Sequence, residues 1–272
     1  MNRSLLTALC ASFAASTLHA DSNASLTVPR TGSMVLTVQI SITTALGTSS
    51  DTDAKTLAVT GFGQSFLAGP DPAWNAVTMS QMHLDPADAN FHFDLYCFPF
   101  IGCQSLDVAL TGLVFVLQAP STSPVGALGA VNFVGAPVLM QANYVATGVA
   151  SASGTLSSVS NAGLTGRVLA TTGSTVRFDQ FVMAPQTTVV DPASLPAGVT
   201  ALTITVSTNL ANTTLVGPYV VLNPYDLDGD GLVGAPDLSI LLSAWGVASP
   251  ADFNGNGSVD APDLAILLSN WS

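Results

Sequence analysis

The chain has 272 residues and a net charge of −12, with five Lys and Arg against seventeen acids, every one of them Asp. That balance excludes nucleic acid and anionic membranes as partners, because both need Lys and Arg to neutralise phosphate. Apolar residues make up 48% and charged residues 8%, enough for a sizeable core and too little charge for charge-driven disorder. Calcium is the partner that so many Asp suggest.

Arg3, the short apolar run from Leu5 to Ala15 and the small residues beyond it read as a secretory signal peptide over residues 1–20. Cleavage after Ala20 or after Ala14 fits, and the run is too short to span a bilayer. The mature protein is therefore expected to be secreted, extracellular or at the cell surface. Cys97 and Cys103 then remain, and an even pair in an exported chain is most simply a disulfide, here closing Cys97-Phe98-Pro99-Phe100-Ile101-Gly102-Cys103. A reactive or metal-binding thiol pair is the alternative, but it lacks neighbouring His or Lys.

Residues 21–223 form the body. Its clearest pattern is Met34-Leu36-Val38-Ile40-Ile42 interleaved with Thr37, Gln39, Ser41 and Thr43, a period of two that puts one set on a buried face. Phe91, Phe93, Leu95 and Cys97 repeat it, as do Leu202, Ile204 and Val206; shorter candidates lie in Leu57–Val59, Val108–Leu117, Val131–Ala142 and Val176–Phe181. Turn signals punctuate them at Ala68-Gly69-Pro70-Asp71-Pro72, Ser123-Pro124 and Leu195-Pro196-Ala197-Gly198. The expectation is a mainly β fold, an antiparallel β-sandwich or jelly-roll, with no βαβ units. No charged residue lies between Asp107 and Arg167, yet Asn132, Pro137, Gln141 and Asn143 break the apolar residues well short of the roughly 18 in a row that a membrane span needs. A sheet buried on one face explains the stretch better, and its uncharged edge would favour association with another sheet.

Residues 224–272 are different. The last 47 hold seven Asp and no Lys, Arg or His, and Asp226–Gly246 aligns without gaps on Asp252–Ser272, with thirteen of twenty-one positions identical. In the first copy a twelve-residue loop places Asp226, Asp228 and Asp230 first, third and fifth, Gly231 at the turn, the carbonyl of Leu232 seventh and Asp237 last. Such a loop can wrap a hard cation that wants six to eight oxygens at about 2.3–2.6 Å. Gly234, at the ninth position, leaves room for water, and Val233 is expected to tie this loop to its partner by a short β contact. The second copy offers Asp252, Asn254, Asn256, the carbonyl of Ser258, Asp260 through a water, and Asp263, with Gly257 at the turn. With four carboxylates against three, the first loop should bind more tightly.

Pro236 and Pro262 suit first helical positions. Leu238, Leu241, Leu242 and Trp245, and likewise Leu264, Leu267, Leu268 and Trp271, follow at i, i+3, i+4 and i+7, two apolar stripes expected to bury each other around a pseudo-twofold axis. Helices of about ten residues do not persist alone, and without a cation seven carboxylates crowd together. The tail should unfold in chelator.

Two loops in register, each followed rather than flanked by a helix, with Asp in last place, resemble the dockerin type I module over about 47 residues. The resemblance implies two calcium ions on the residues named, a cohesin-like protein partner, and association with polysaccharide breakdown. The chain departs from the pattern in its short repeat separation, in Ala235-Pro236 and Ala261-Pro262 where cellulosomal dockerins commonly present a hydroxyl pair, and in having no Lys or Arg on the helices.

For the body, the expectation is a binding or structural surface domain held in place by the tail. The alternative is a polysaccharide-degrading enzyme, an O-glycosyl hydrolase, or a carbohydrate-binding accessory protein. Glycoside hydrolysis needs two carboxylates about the scissile bond, but nothing selects a pair among Asp51, Asp53, Asp71, Asp85, Asp88, Asp94, Asp107, Asp179 and Asp191, so no catalytic residue is assigned. His83, Asp85, Asp88, His92 and Asp94 form the densest polar cluster, with His92 and Asp94 expected on the outer face of one strand, able to bind a metal or position a water. Trp74, Tyr96 and Tyr144 are candidates for stacking on sugar rings.

Overall fold

The computed structural model describes residues 21–272 apart from 46, 70, 99–101, 149–150, 162, 191–197 and 211. The expected leader (1–20), Asp191 and Leu195-Pro196-Ala197 lie outside the described residues. The described chain falls into two compact units, Asp21–Val221 and Leu222–Ser272.

The first unit is built from strands. In chain order they are β1 (Ser22–Thr27), β2 (Ser33–Thr44), β3 (Gly47–Ala68), β4 (Ala76–Pro86), β5 (Ala89–Phe98), β6 (Gly102–Leu117), β7 (Ser121–Pro124), β8 (Ala130–Phe133), β9 (Val138–Gly148), β10 (Ala152–Ser160), β11 (Leu164–Thr171), β12 (Thr175–Met183), β13 (Gln186–Val189), β14 (Val199–Leu210) and β15 (Leu215–Val221). All pair antiparallel in one large sheet. The unit is thus mainly β, and the charge-free stretch forms strands. No helix among the described residues is long and apolar enough to cross a membrane.

The alternation that marks β2 in the sequence has its physical counterpart. Met34, Leu36, Val38, Ile40 and Ile42 are buried, and β14 sets Val206, Ile204 and Leu202 directly opposite the last three. Such cross-strand pairs of β-branched and large apolar side chains are what stabilise a pleated, half-buried surface. β3 is long enough to serve two neighbours: its first half pairs with β2, its second with β4, and residues 62–67 of that second half also pair with β1. Because β1 pairs in turn with β15, the path β1–β15–β12–β14–β2–β3 returns to its start. One contiguous core fills the interior, with Phe91, Phe93, Phe115, Phe133, Phe178 and Phe181 among its largest fully buried side chains.

Where the first half of β3 runs beside β5, side chains replace the backbone ladder. Ser49 Oγ, Asp51 Oδ2 and Asp53 Oδ2 accept hydrogen bonds from the N–H groups of Tyr96, Asp94 and His92 at 3.1, 2.7 and 3.0 Å. Alternate residues of β3 share a face, so period two puts all three acceptors in line. The expected Cys97–Cys103 disulfide is formed.

The second unit carries two helices, α1 (Ala235–Ser243) and α2 (Ala261–Ser269). Pro236 and Pro262 stand one place later than expected, second rather than first in the helix, where a backbone donor is still not needed. Val233, Leu241, Ala251, Phe253, Val259 and Leu267 make its core. The expected four-residue stripes are only half buried: Leu241 and Leu267 are fully enclosed, Leu238 and Leu264 partly, whereas Leu242, Trp245, Leu268 and Trp271 are exposed. Each helix is nine residues long, so both Trp fall beyond its end and leave the helical register. Their place against the core is taken by Phe253, in T-shaped contact with Tyr225 at 5.2 Å, and by the valines of the loops.

Candidate metal centre

Six hydrogen bonds of the first acidic loop recur in the second at the 26-residue offset. Asp226 Oδ1 accepts from Asp230 N–H at 3.1 Å and its Oδ2 from Gly231 N–H at 2.8 Å; Asp252 accepts from Asn256 and Gly257 at the same two distances. Asp228 and Asn254 each accept from the N–H two residues on, at 3.1 and 2.9 Å, as do Asp230 and Asn256 at 2.8 and 2.9 Å. These Asx turns coil the chain so that side-chain oxygens converge. Gly231 and Gly257 sit at φ 93° and 98°, a left-handed conformation that a side chain would strain.

Asp237 and Asp263 close the loops. Both are buried, and each has two functions. Asp237 Oδ1 accepts from Leu227 and Asp228 N–H at 2.6 and 3.2 Å, and Oδ2 from Gly234 N–H at 2.7 Å; Asp263 accepts from Asn254 and Asp260 N–H at 3.0 and 2.8 Å. The same carboxylate therefore finishes a loop and caps the first turn of the following helix. Burial pushes the Asp237 carboxyl up, but the N–H groups of Gly234, Asp228 and Leu227 outweigh it and hold it below the ordinary carboxylate range. Asp228 is shifted the other way: the Asp230 N–H favours its anion, but burial, the charges of Asp230 and Asp237 and a hydrogen bond with the Asp226 carboxyl prevail and raise it.

In the first loop, ligand oxygens of Asp226, Asp228 and Asp237 all lie within 4.8 Å of one another. Two oxygens on opposite sides of one calcium-sized ion are about 5 Å apart, so a single hard cation can span the three. Asp230, expected as a fourth carboxylate ligand, is outside that group and turns to the Leu232 N–H. Leu232 occupies the seventh position at the rim, 59% exposed. In the second loop Asn254 and Asn256 replace two of the carboxylates, Ser258 follows, Asn256 Nδ2 donates to Asp260 Oδ2 at 3.2 Å, and Asp260 Oδ1 is buried without a hydrogen-bond partner. No Lys, Arg or His occurs in the unit to neutralise its seven Asp. Oxygen-only donors, converging anions and an orphaned carboxylate oxygen all fit a divalent cation of the calcium type.

The expected contact of Val233 with the partner loop takes a different form. Val233 is bonded to Ser272, after α2, and Val259 to Gly246 and Val247, after α1. Sequence reasoning missed Ser272; its alignment with Gly246 was the available signal.

In the β unit, His92 and Asp94 do share an exposed face. His92 Nδ1 lies 2.7 Å from Asp107 and its Nε2 3.4 Å from Asp94; the bond to Asp107 raises the imidazole's pKa, with Asp94 adding to it. His83 is separate, bonded to Asp85 at 2.9 Å and stacked on Phe62. Every described Asp of this unit is engaged: Asp21 with Gly69 N–H, Asp51 and Asp53 with β5, Asp71 with Tyr219, Asp88 with Gly112 N–H, and Asp179 with two arginines. The Asp71 bond, at 2.5 Å, and burial push the Tyr219 phenol up to about 12. The expected stacking residues are not open platforms. Trp74 is buried, Tyr96 gives its hydroxyl to the carbonyls of Ile42 and Gly47, and Tyr144 lines an aliphatic cavity of about 60 Å³ between β2, β14, β6, β9 and β10.

No family model matches the chain, and no curated protein does. Among solved structures, the chain is similar to Ail, the attachment invasion locus protein of Yersinia pestis crystallised with the heparin analogue sucrose octasulfate, at 8% identity and a TM-score of 0.25 over 75% of this chain and all of that one. It is also similar to the secretin domain β-barrel of InvG from the Salmonella SPI-1 injectisome, at 10% identity and a TM-score of 0.14 over 81% of this chain and 66% of that one. Similarity at this level defines no shared architecture.

Proposed function

We propose that residues 224–272 are a dockerin-like module binding two calcium ions, and that the protein is secreted and uses this module to dock or retain a β-rich binding or structural domain at an extracellular site. The observation that carries the reading is the recurrence of the loop hydrogen bonds at one fixed offset, with three of the first loop's four carboxylates, Asp226, Asp228 and Asp237, inside the span of one ion. Asp226, Asp228, Asp230, Asp237 and the Leu232 carbonyl would hold the first ion. Asp252, Asn254, Asn256, Asp263, the Ser258 carbonyl and Asp260 through a water would hold the second. Each ion would neutralise carboxylates that otherwise repel one another, so binding and folding of the tail are one process.

Docking draws support from apolar side chains on the module's surface. Ile240, Leu242, Trp245, Val247, Leu268 and Trp271 are all at least 39% exposed, and exposed aromatic and aliphatic groups in a small module mark interaction surfaces. A cohesin-like protein is the partner that the dockerin resemblance suggests. For the β unit we favour a sandwich or jelly-roll, supported by the way β3 passes from β2 to β4 and by one core shared among all the long strands.

The test is calorimetry of calcium added to the full chain after EDTA treatment, with far-UV circular dichroism in parallel. Two ions per chain, the first loop tighter, and loss of helical signal in EDTA are expected. No uptake at millimolar calcium, or helices unchanged in EDTA, would refute the reading.

A further inference from the structure

We propose that the two loops are coupled by crossed clasps, and that Ser272 is the positioning residue through which the second loop governs the first. The inference rests on the calcium reading above.

Val233 and Val259 are the eighth residues of their loops, both fully buried. Each stands between the residue whose carbonyl is the expected seventh ligand and the residue whose N–H binds the closing carboxylate, Gly234 on Asp237 and Asp260 on Asp263. A shift of either valine therefore moves two parts of its site together. The carbonyl of Val259 accepts from Gly246 N–H at 2.8 Å, and its N–H donates to the carbonyl of Val247 at 3.0 Å. The carbonyl of Val233 accepts from Ser272 N–H at 3.1 Å, and its N–H donates to Ser272 Oγ at 2.7 Å. Gly246 and Ser272 are equivalent positions at the 26-residue offset. Each loop is thus held by the segment just beyond the other repeat's helix.

This wiring makes a connected path. The second loop closes on Asp263, which caps the start of α2; α2 ends at Ser269, three residues before Ser272, and Ser272 grips the first loop at Val233. A nine-residue helix is not persistent by itself, so an ion at the second loop that orders α2 also presents the clasp to the first. The return path runs from Asp237 through α1 to Gly246 and Val247. Coupling of binding free energies is reciprocal, so each ion must tighten the other by the same factor. The two clasps differ in one atom type: a backbone carbonyl receives the Val259 N–H, whereas a side-chain hydroxyl receives the Val233 N–H. Substitution can remove only the second.

The experiment is site-resolved calcium calorimetry on the full chain carrying S272A, S272T or neither, each with the second loop intact or disabled by D252A, together with amide exchange at Val233. With both loops intact, S272A is expected to weaken the first site about fivefold, the factor one net hydrogen bond supplies, and S272T to restore it. In the D252A background the S272A loss should shrink, and the Val233 amide should lose protection even with the first loop saturated. A first-site affinity indifferent to S272A, an equal loss in both backgrounds, or a Val233 amide equally protected in D252A would overturn the coupling. If the unsubstituted chain takes up no calcium, the calcium reading itself fails, a different result from calcium uptake that ignores Ser272.

Discussion

Leu267 and Leu268 are adjacent, chemically identical and oppositely placed: Leu267 is fully buried in the small core of the tail, and Leu268 is 51% exposed. Truncating a buried Leu to Ala costs about 2–5 kcal/mol through lost transfer energy and the cavity left behind. Taking about 3 kcal/mol, the folded tail loses a factor of about 160 in its equilibrium constant, which on the proposed calcium reading added calcium restores by mass action. Two ions share that burden, so the free calcium at half-folding rises by about the square root, roughly 13-fold. L268A removes exposed surface, within about 0.5 kcal/mol of neutral, and should move the midpoint by less than about twofold. Calcium titration of each EDTA-treated full-length variant, followed by the helical signal or by amide exchange over residues 235–243 and 261–269, reads both midpoints. Equal shifts for L267A and L268A, or none for either, would refute the premise that metal and this core jointly hold the tail.

Two predictions concern the β unit. Asp179 is 6% exposed and bridges Arg167, through two hydrogen bonds of 2.9 and 3.0 Å, to Arg177 at 2.8 Å. Breaking a fully buried pair costs about 3–5 kcal/mol, but the two arginine side chains are 30% and 41% exposed, so D179N should lower stability in urea by about 1–3 kcal/mol. A loss below about 0.5 kcal/mol would show that solvent screens the bridge. Asp53 gives a pH signature: burial pushes its carboxyl up, but the His92 and Ala54 N–H groups and the Lys55 ammonium outweigh burial and hold it below the ordinary carboxylate range. A depressed folded-state pKa means the stabilisation is complete above the unfolded value of about 3.9 and is lost as pH falls through the folded one. The stability gap between the native chain and D53N should therefore stay constant from pH 7 to 5 and shrink below about pH 4; a gap independent of pH would remove the charge from the explanation.

Much of the fold was legible because period-two burial is local. Residues Met34 to Ile42 show which face points inward without reference to any neighbour, and β2 confirms each one. The neighbours themselves were not legible. Nothing in the pattern says that β3 leaves β2 for β4, or that Ser49, Asp51 and Asp53 bond the N–H groups of a strand some 40 residues away. Sequence shows these acids but not what they bind, so it could neither assign them a catalytic role nor reveal this structural one. The tail was read more fully: repetition fixed the loop positions, and the matching hydrogen bonds follow them. The stripe of four apolar residues was overread, since period 3.6 identifies a face but not the point where a helix stops, and Trp245 and Trp271 lie past that point.

The crossed clasps have a consequence for the tail as a unit. A single repeat contains a loop and a helix but not the residues that hold its own eighth position: Val233 needs Ser272, and Val259 needs Gly246 and Val247. Each half also buries its valine and leucine against the other half, within a core of six residues. Backbone pairing and apolar burial thus both require both copies, and neither accumulates residue by residue. Local propensity works against a half-folded state, because a nine-residue helix beside an unfilled acidic loop has neither length nor partner. On the proposed calcium reading the duplication is the smallest piece that folds, and the tail should exist in two populations, metal-free and open or doubly loaded and closed, with the singly loaded form scarce.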